Sequence, residues 1–298
     1  MKIPNQIIVT DNPEISFSIK REDLIHPFVS GNKFRKLKYN LLQAKAEKHS
    51  KLLTFGGAFS NHIAAVAFAG KENGFQTIGI IRGEELENKI NENPTLLFAQ
   101  QCGMELKFVT REEYRNKNSF DFIEQLMQKY NDFYLIPEGG TNALAVKGCE
   151  EILTDQDHEF DYICCSIGTA GTISGIINSA EKNQKILGFP ALIGDFLANE
   201  IRNFTKKENW VLVTEYHFGG YGKVTPELIR FINDFSSKNN VLLDPIYTGK
   251  MVFGIMDLIQ KGYFPKGSKI LAIHTGGLQG IQGINNLLNK KNSDTIIC

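Results

Sequence analysis

Lys33 stands in Ser30-Gly31-Asn32-Lys33-Phe34-Arg35-Lys36-Leu37-Lys38-Tyr39, a short polar turn that runs straight into a helical pattern. An amine placed near other cations and partly shielded from water loses its proton more easily, which is what a Schiff-base residue needs. Read alone, the segment is more often a solvated basic helix face. Other segments supply partners. Gly56-Gly57-Ala58-Phe59-Ser60-Asn61-His62 follows the apolar strand Leu52-Leu53-Thr54-Phe55 and opens the small-residue helix Ile63-Ala64-Ala65-Val66-Ala67-Phe68-Ala69. Helix N-termini carry unsatisfied N–H groups at the positive end of the dipole, so Ser60, Asn61 and His62 sit where a carboxylate would bind. The other reading is a helix merely capped by Ser60 or Asn61. A second strand, Tyr162-Ile163-Cys164-Cys165-Ser166-Ile167, leads into Gly168-Thr169-Ala170-Gly171-Thr172-Ile173-Ser174-Gly175. Close backbone approach at the glycines, hydroxyl donors and a following helix make this loop a candidate phosphate cradle. It has no Walker lysine, and it lies too late to open a dinucleotide fold.

Near the C-terminus stand Leu243-Asp244-Pro245-Ile246-Tyr247-Thr248-Gly249-Lys250 and His274-Thr275-Gly276-Gly277. To these the chain adds Ser18-Ile19-Lys20-Arg21-Glu22-Asp23-Leu24, Pro137-Glu138-Gly139-Gly140-Thr141-Asn142 and Tyr216-His217-Phe218-Gly219-Gly220-Tyr221. In this order and spacing the motifs resemble the pyridoxal-phosphate enzymes of the tryptophan-synthase β type. Within them the chain is similar to the family that joins 1-aminocyclopropane-1-carboxylate (ACC) deaminase and D-cysteine desulfhydrase. The resemblance implies that Lys33 bonds the cofactor covalently and moves the proton at the substrate's α-carbon. It implies that Lys36 reaches the cofactor phosphate, held by the backbone of Thr169, Ala170, Gly171 and Thr172. Asn61 is implied to bond the phenolic oxygen, Ser60 and His62 to face the substrate carboxylate, and Tyr247 and Tyr221 to lie by the substrate. Thr275, with Thr248 beside it, is implied near the ring nitrogen. No metal is implied.

The ACC deaminases carry Glu after the tyrosine of Tyr-x-Gly-Lys, Leu before the final glycine pair and Gln after Ser-Asn. This chain has Thr248, Thr275 and His62 there. A neutral hydroxyl cannot hold a positive charge on a pyridine as a carboxylate would, so simple β-elimination is favoured. A thiolate leaves readily from a β-carbon, whereas ring opening has a poor carbon leaving group. The expectation is therefore β-elimination on D-cysteine, giving pyruvate, sulfide and ammonia. The alternative is ACC deamination to 2-oxobutyrate and ammonia, and a reading from another class is a cofactor-binding relic without turnover.

The implied fold is α/β, two parallel helix-covered sheets with the cofactor in the cleft between them. Residues 1–39 with 149–298 would form the large domain and 40–148 the small one. The residues agree: 298 of them, 42% hydrophobic, lie where single cores tend to split. Apolar strands such as Thr77–Ile81 and Glu105–Val109 bracket the helical run Pro94–Gln101, as in a parallel sheet. With 33 basic and 33 acidic residues there is no charge excess for nucleic acid, and apolar runs such as Ile270–Ile273 are far below a membrane span. The N-terminus shows no apolar signal core, so a cytoplasmic location is expected. Five cysteines show no metal-ligand spacing and read as structural thiols. The resemblance adds a small amino-acid substrate and a homodimer.

Overall fold

The computed structural model describes residues 2–298. Its strands are β1 (Asn5–Ile8), β2 (Ser16–Lys20), β3 (Lys51–Gly56), β4 (Gln76–Arg82), β5 (Met104–Val109), β6 (Tyr134–Ile136), β7 (Tyr162–Ile167), β8 (Lys185–Pro190), β9 (Trp210–Leu212) and β10 (Lys269–Ile273). They form a six-stranded sheet in the order β1-β2-β10-β7-β8-β9 and a four-stranded sheet in the order β5-β4-β3-β6. Every pairing is parallel except β1 with β2. That antiparallel edge departs from the all-parallel expectation. Residues 9–15 between the two strands are too few for a crossover, so the chain turns back on itself.

Strands β3 and β7 are buried at every position after the first, because helices cover both faces of each sheet. Their side chains need no polar alternation, which is why Tyr162-Ile163-Cys164-Cys165-Ser166-Ile167 is so apolar. Cys164 and Cys165 are fully buried, and burial raises both thiols, keeping them protonated. Each buried Ile or Leu in these strands contributes about 1.5–3 kcal/mol.

The four-stranded sheet lies within residues 51–136, inside the 40–148 interval. The helix Asn32–Ala46 packs along Ala143–Cys149, so the two ends of that interval meet. A Cβ on Gly148 would stand 2.0 Å from the Arg35 carbonyl oxygen, so glycine is required for the helices to touch. The N-terminal arm fixes the same helix from the other side: Arg35 donates to both oxygens of the fully buried Glu22, at 2.9 and 2.8 Å.

Behind this arm Lys20 and Asp157 form a buried ion pair at 2.7 Å, and Asp157 also accepts from Asn5 and Thr154. Lys20→Met strands a buried carboxylate and is expected to reduce unfolding free energy by about 3–5 kcal/mol in urea denaturation. A loss below about 1 kcal/mol would show that the neutral donors suffice.

Candidate active site

The carboxyl ends of β3, β4, β7 and β10 open onto one cleft of about 610 Å³ between the sheets, the crevice where open α/β sheets bind ligands. Lys33 enters it from the first turn of the helix Asn32–Ala46. That turn is seated on the loop after β10. Asn32 N donates to the Thr275 carbonyl at 3.3 Å, and a Cβ on Gly31, whose φ is +60°, would overlap that carbonyl oxygen. The Gly-Asn-Lys turn thus depends on glycine for both conformation and space.

Lys36 lies one turn further, fully buried. Its Nζ donates to the Gly139 carbonyl (3.0 Å), Thr141 Oγ1 (2.9 Å) and Thr169 Oγ1 (3.1 Å), and no carboxylate pairs with it among the described residues. Burial therefore lowers its pKa. Lys33 Nζ approaches the same Gly139 carbonyl at 3.5 Å. Burial, then the neighbouring Lys36 cation, lowers the Lys33 amine to about 7.

Thr169 and Thr172 line the cleft, whereas Ala170 and Gly171 are buried behind them at the start of the helix Gly171–Ser179. Asn32 Nδ2 donates to Thr172 Oγ1 at 2.9 Å, tying the loop to the lysine turn. Ser60 caps the helix Asn61–Asn73 by accepting from Ile63 N, and Asn61 lies in the cleft beside Gly277. The His62 ring turns inward. Thr54 gives its hydroxyl proton to the Ile136 carbonyl, so His62 Nε2 donates to Thr54 Oγ1 at 2.8 Å. Burial, then Lys33 and Lys36, holds the imidazole pKa well below its ordinary value, and Nδ1 is left an unpartnered acceptor. A neutral ring with only an acceptor free offers a carboxylate nothing. His62 nevertheless lines the cleft, where the sequence placed it facing that carboxylate.

Tyr247 lies against Gly168 and beside Tyr221, the two rings 6.2 Å apart. Burial and Tyr221 raise the Tyr247 hydroxyl well above its ordinary value, so it is a proton donor rather than an anion. Thr275 Oγ1 lies 3.3 Å from Ser166 Oγ in the cleft wall. Thr248 is brought near the cleft but not into its lining, because its hydroxyl donates to Asp244 Oδ2 at 2.5 Å. Asp244 takes up four donors in all: the backbone N–H groups of Ile246, Tyr247 and Thr248, and that hydroxyl. Sequence reasoning missed Asp244, Ser166, Glu138 and Arg82, all of which line the cleft. Asp244 and Glu138 lay inside motifs already singled out, and the polar end of β7 could have marked Ser166.

The pyridoxal-phosphate dependent enzyme family model matches residues 9–276. The chain belongs to that family. As a member it is an enzyme of the fold-type II lyase and deaminase class, and pyridoxal phosphate is its cofactor. It is 32% identical over 286 residues to a Pyrococcus horikoshii protein provisionally named 1-aminocyclopropane-1-carboxylate deaminase, covering 88% of this chain and 84% of that one. It is 31% identical to the Arabidopsis thaliana mitochondrial bifunctional D-cysteine desulfhydrase/1-aminocyclopropane-1-carboxylate deaminase, covering 88% and 72%. The crystal structure of an ACC deaminase homologue superposes with a TM-score of 0.81 at 27% identity, covering 96% of this chain and 93% of that one. No helix among the described residues is long and apolar enough to cross a membrane.

This pyridoxal-phosphate enzyme offers residues that fit its cofactor. A buried ammonium with three neutral acceptors and no counter-charge, beside a loop that opens a helix, calls for an anion such as a phosphate. A nearby amine lowered to about 7 suits an aldehyde. The unfolded chain keeps the Lys33 proton up to its ordinary value of 10.5, while the folded chain releases it near 7. Cofactor-free protein should therefore gain stability from this group as pH rises from 7 toward 10.5, and Lys33→Met should flatten that part of the profile in thermal melts. Matching profiles would show an ordinary Lys33.

Proposed function

We propose that the protein removes the α-proton of a small amino acid and expels a β-substituent, with D-cysteine as the substrate. Lys33 would hold the cofactor's aldehyde carbon, Lys36 with the Thr169–Thr172 backbone its phosphate, Asn61 its phenolic oxygen, and Thr275 with Ser166 its ring nitrogen. Bound pyridoxal phosphate draws electron density from the substrate's α-carbon. The backbone N–H groups that follow Ser60 at the helix start receive the substrate carboxylate. Lys33, its amine lowered to about 7, takes the α-proton, and the neighbouring Tyr247 and Tyr221 hydroxyls donate a proton to the leaving group. The aminoacrylate released hydrolyses to pyruvate and ammonia.

The observation that carries the choice of D-cysteine is the commitment of Asp244 to four donors. With that carboxylate satisfied, the wall offers only the Thr275 and Ser166 hydroxyls to a pyridine nitrogen. Hydroxyls make a weaker electron sink than a carboxylate, which suits departure of a thiolate. ACC deamination is the second reading. It is favoured by the relatives' names, which weigh toward ring opening and against the three substituted positions. The homodimer that the resemblance implies forms part of the proposal.

Sulfide and pyruvate released from D-cysteine by the cofactor-loaded protein, with none from L-cysteine, is the expected result. 2-Oxobutyrate from ACC without sulfide from D-cysteine would transfer the assignment to the second reading. Lys33→Ala should lower turnover by about 10³-fold or more. Tyr247→Phe should lower it by about 10–100-fold with the cofactor absorbance retained, and an unchanged rate would reduce Tyr247 to a packing residue.

A further inference from the structure

The anion-binding groups of the cleft have one member to spare. Lys36 and the loop after β7 answer the cofactor phosphate, and the N-terminus of the helix Asn61–Asn73 answers the α-carboxylate. Two arginines remain. Arg111 is paired with Glu85 at 2.6 Å on the rim. Arg82, the last residue of β4, lines the cleft and pairs with no carboxylate among the described residues.

Arg82 is solvent-exposed at the end of its strand, yet it has a neighbour. Its guanidinium carbon stands 5.8 Å from the centre of the Tyr114 ring, and Tyr114 is buried and donates to Glu138 at 2.7 Å. Arg82 Nη2 lies 3.7 Å from where a Cβ on Gly57 would stand, in the turn that leads to Ser60. Lys117 lies 5.1 Å from the same Tyr114 ring and pairs with Glu138 at 3.2 Å. This wall therefore holds two cations and one carboxylate, and the carboxylate is taken by Lys117 and Tyr114. Arg82 also acts across the cleft. Burial raises the Tyr221 hydroxyl, and the neighbouring Tyr247 and then the Arg82 charge oppose that rise. An arginine over an aromatic ring, in the cleft wall without a paired anion and near Tyr221, is suited to bind a carboxylate or phosphate.

The geometry points to Arg82 as the receptor for a second anion on the substrate, so that the cleft prefers α-amino acids carrying a negative group on the β-carbon. This rests on the cleft being the amino-acid site proposed above. It deepens that reading, since the sulfur of D-cysteine gains negative charge at that position as its bond to the β-carbon breaks.

The test uses holoenzyme and the isosteric pair aspartate and asparagine, each enantiomer titrated while the cofactor absorbance is followed. Aspartate should bind about tenfold more tightly than asparagine, and added salt should reduce the difference. Arg82→Gln should abolish the difference, and Arg82→Lys should keep part of it. Equal binding to the wild type would overturn the inference. So would a preference that survives in Arg82→Gln, or equal weakening of both ligands, which would assign Arg82 to the α-carboxylate. D-Cysteine and ACC turnover on the same wild-type preparation keeps the two claims apart: no turnover with a retained aspartate preference sinks the proposed reaction and leaves the receptor.

Discussion

A buried ammonium without a counter-charge is costly unless several dipoles converge on it, and Lys36 gathers three of them from separate parts of the chain. Its acceptors are the Gly139 carbonyl and the Thr141 hydroxyl after β6, and the Thr169 hydroxyl after β7. The lysine itself comes from the helix Asn32–Ala46. One cation thus joins the four-stranded sheet, the six-stranded sheet and the helix that carries Lys33. Because it repels a second positive charge nearby, it also helps to bring the Lys33 amine to about 7. Fold assembly and amine activation are two consequences of the same electrostatic debt, and a bound phosphate would settle it.

The opposite wall is organised by an anion. Asp244 caps the helix Thr248–Gln260 with both carboxylate oxygens, accepting three backbone N–H groups and the Thr248 hydroxyl. Such a cap fixes Tyr247 at the cleft edge, where its ring rests on Gly168. Lys250 extends the arrangement, donating to the His217 and Gly220 carbonyls at 2.9 Å each and so holding the turn that presents Tyr221. A carboxylate that serves as a structural cap cannot also hold a proton on a cofactor. The polarity of this end of the site therefore falls to hydroxyls.

The elements and their order were legible in the sequence. The strand Tyr162–Ile167 and the helix Pro94–Gln101 have the bounds their apolar runs predict, and β4 is one residue longer at each end than Thr77–Ile81. Periodicity suffices for this because a strand buried on both faces must be apolar throughout. The motifs also brought Lys33, Thr169, Thr172, Ser60, Asn61, His62, Tyr221, Tyr247 and Thr275 to one cleft. Thr248 did not follow its motif into that lining, since its hydroxyl found a stronger local partner in Asp244, whereas His62 lines the cleft with one ring nitrogen turned to Thr54.

By itself, then, the sequence determined which segments are strands, which turns need glycine and which residues can do amine and anion chemistry, since these follow from local sterics and residue type. Only the tertiary structure decided how those groups are spent. Whether Asp244 is a free carboxylate or a cap, whether His62 is a donor or an acceptor, and whether Arg82 has a partner all depend on hydrogen bonds between atoms distant along the chain or turned by packing. A side chain's type fixes what it can donate or accept, but the competition among its neighbours fixes what remains available to a ligand.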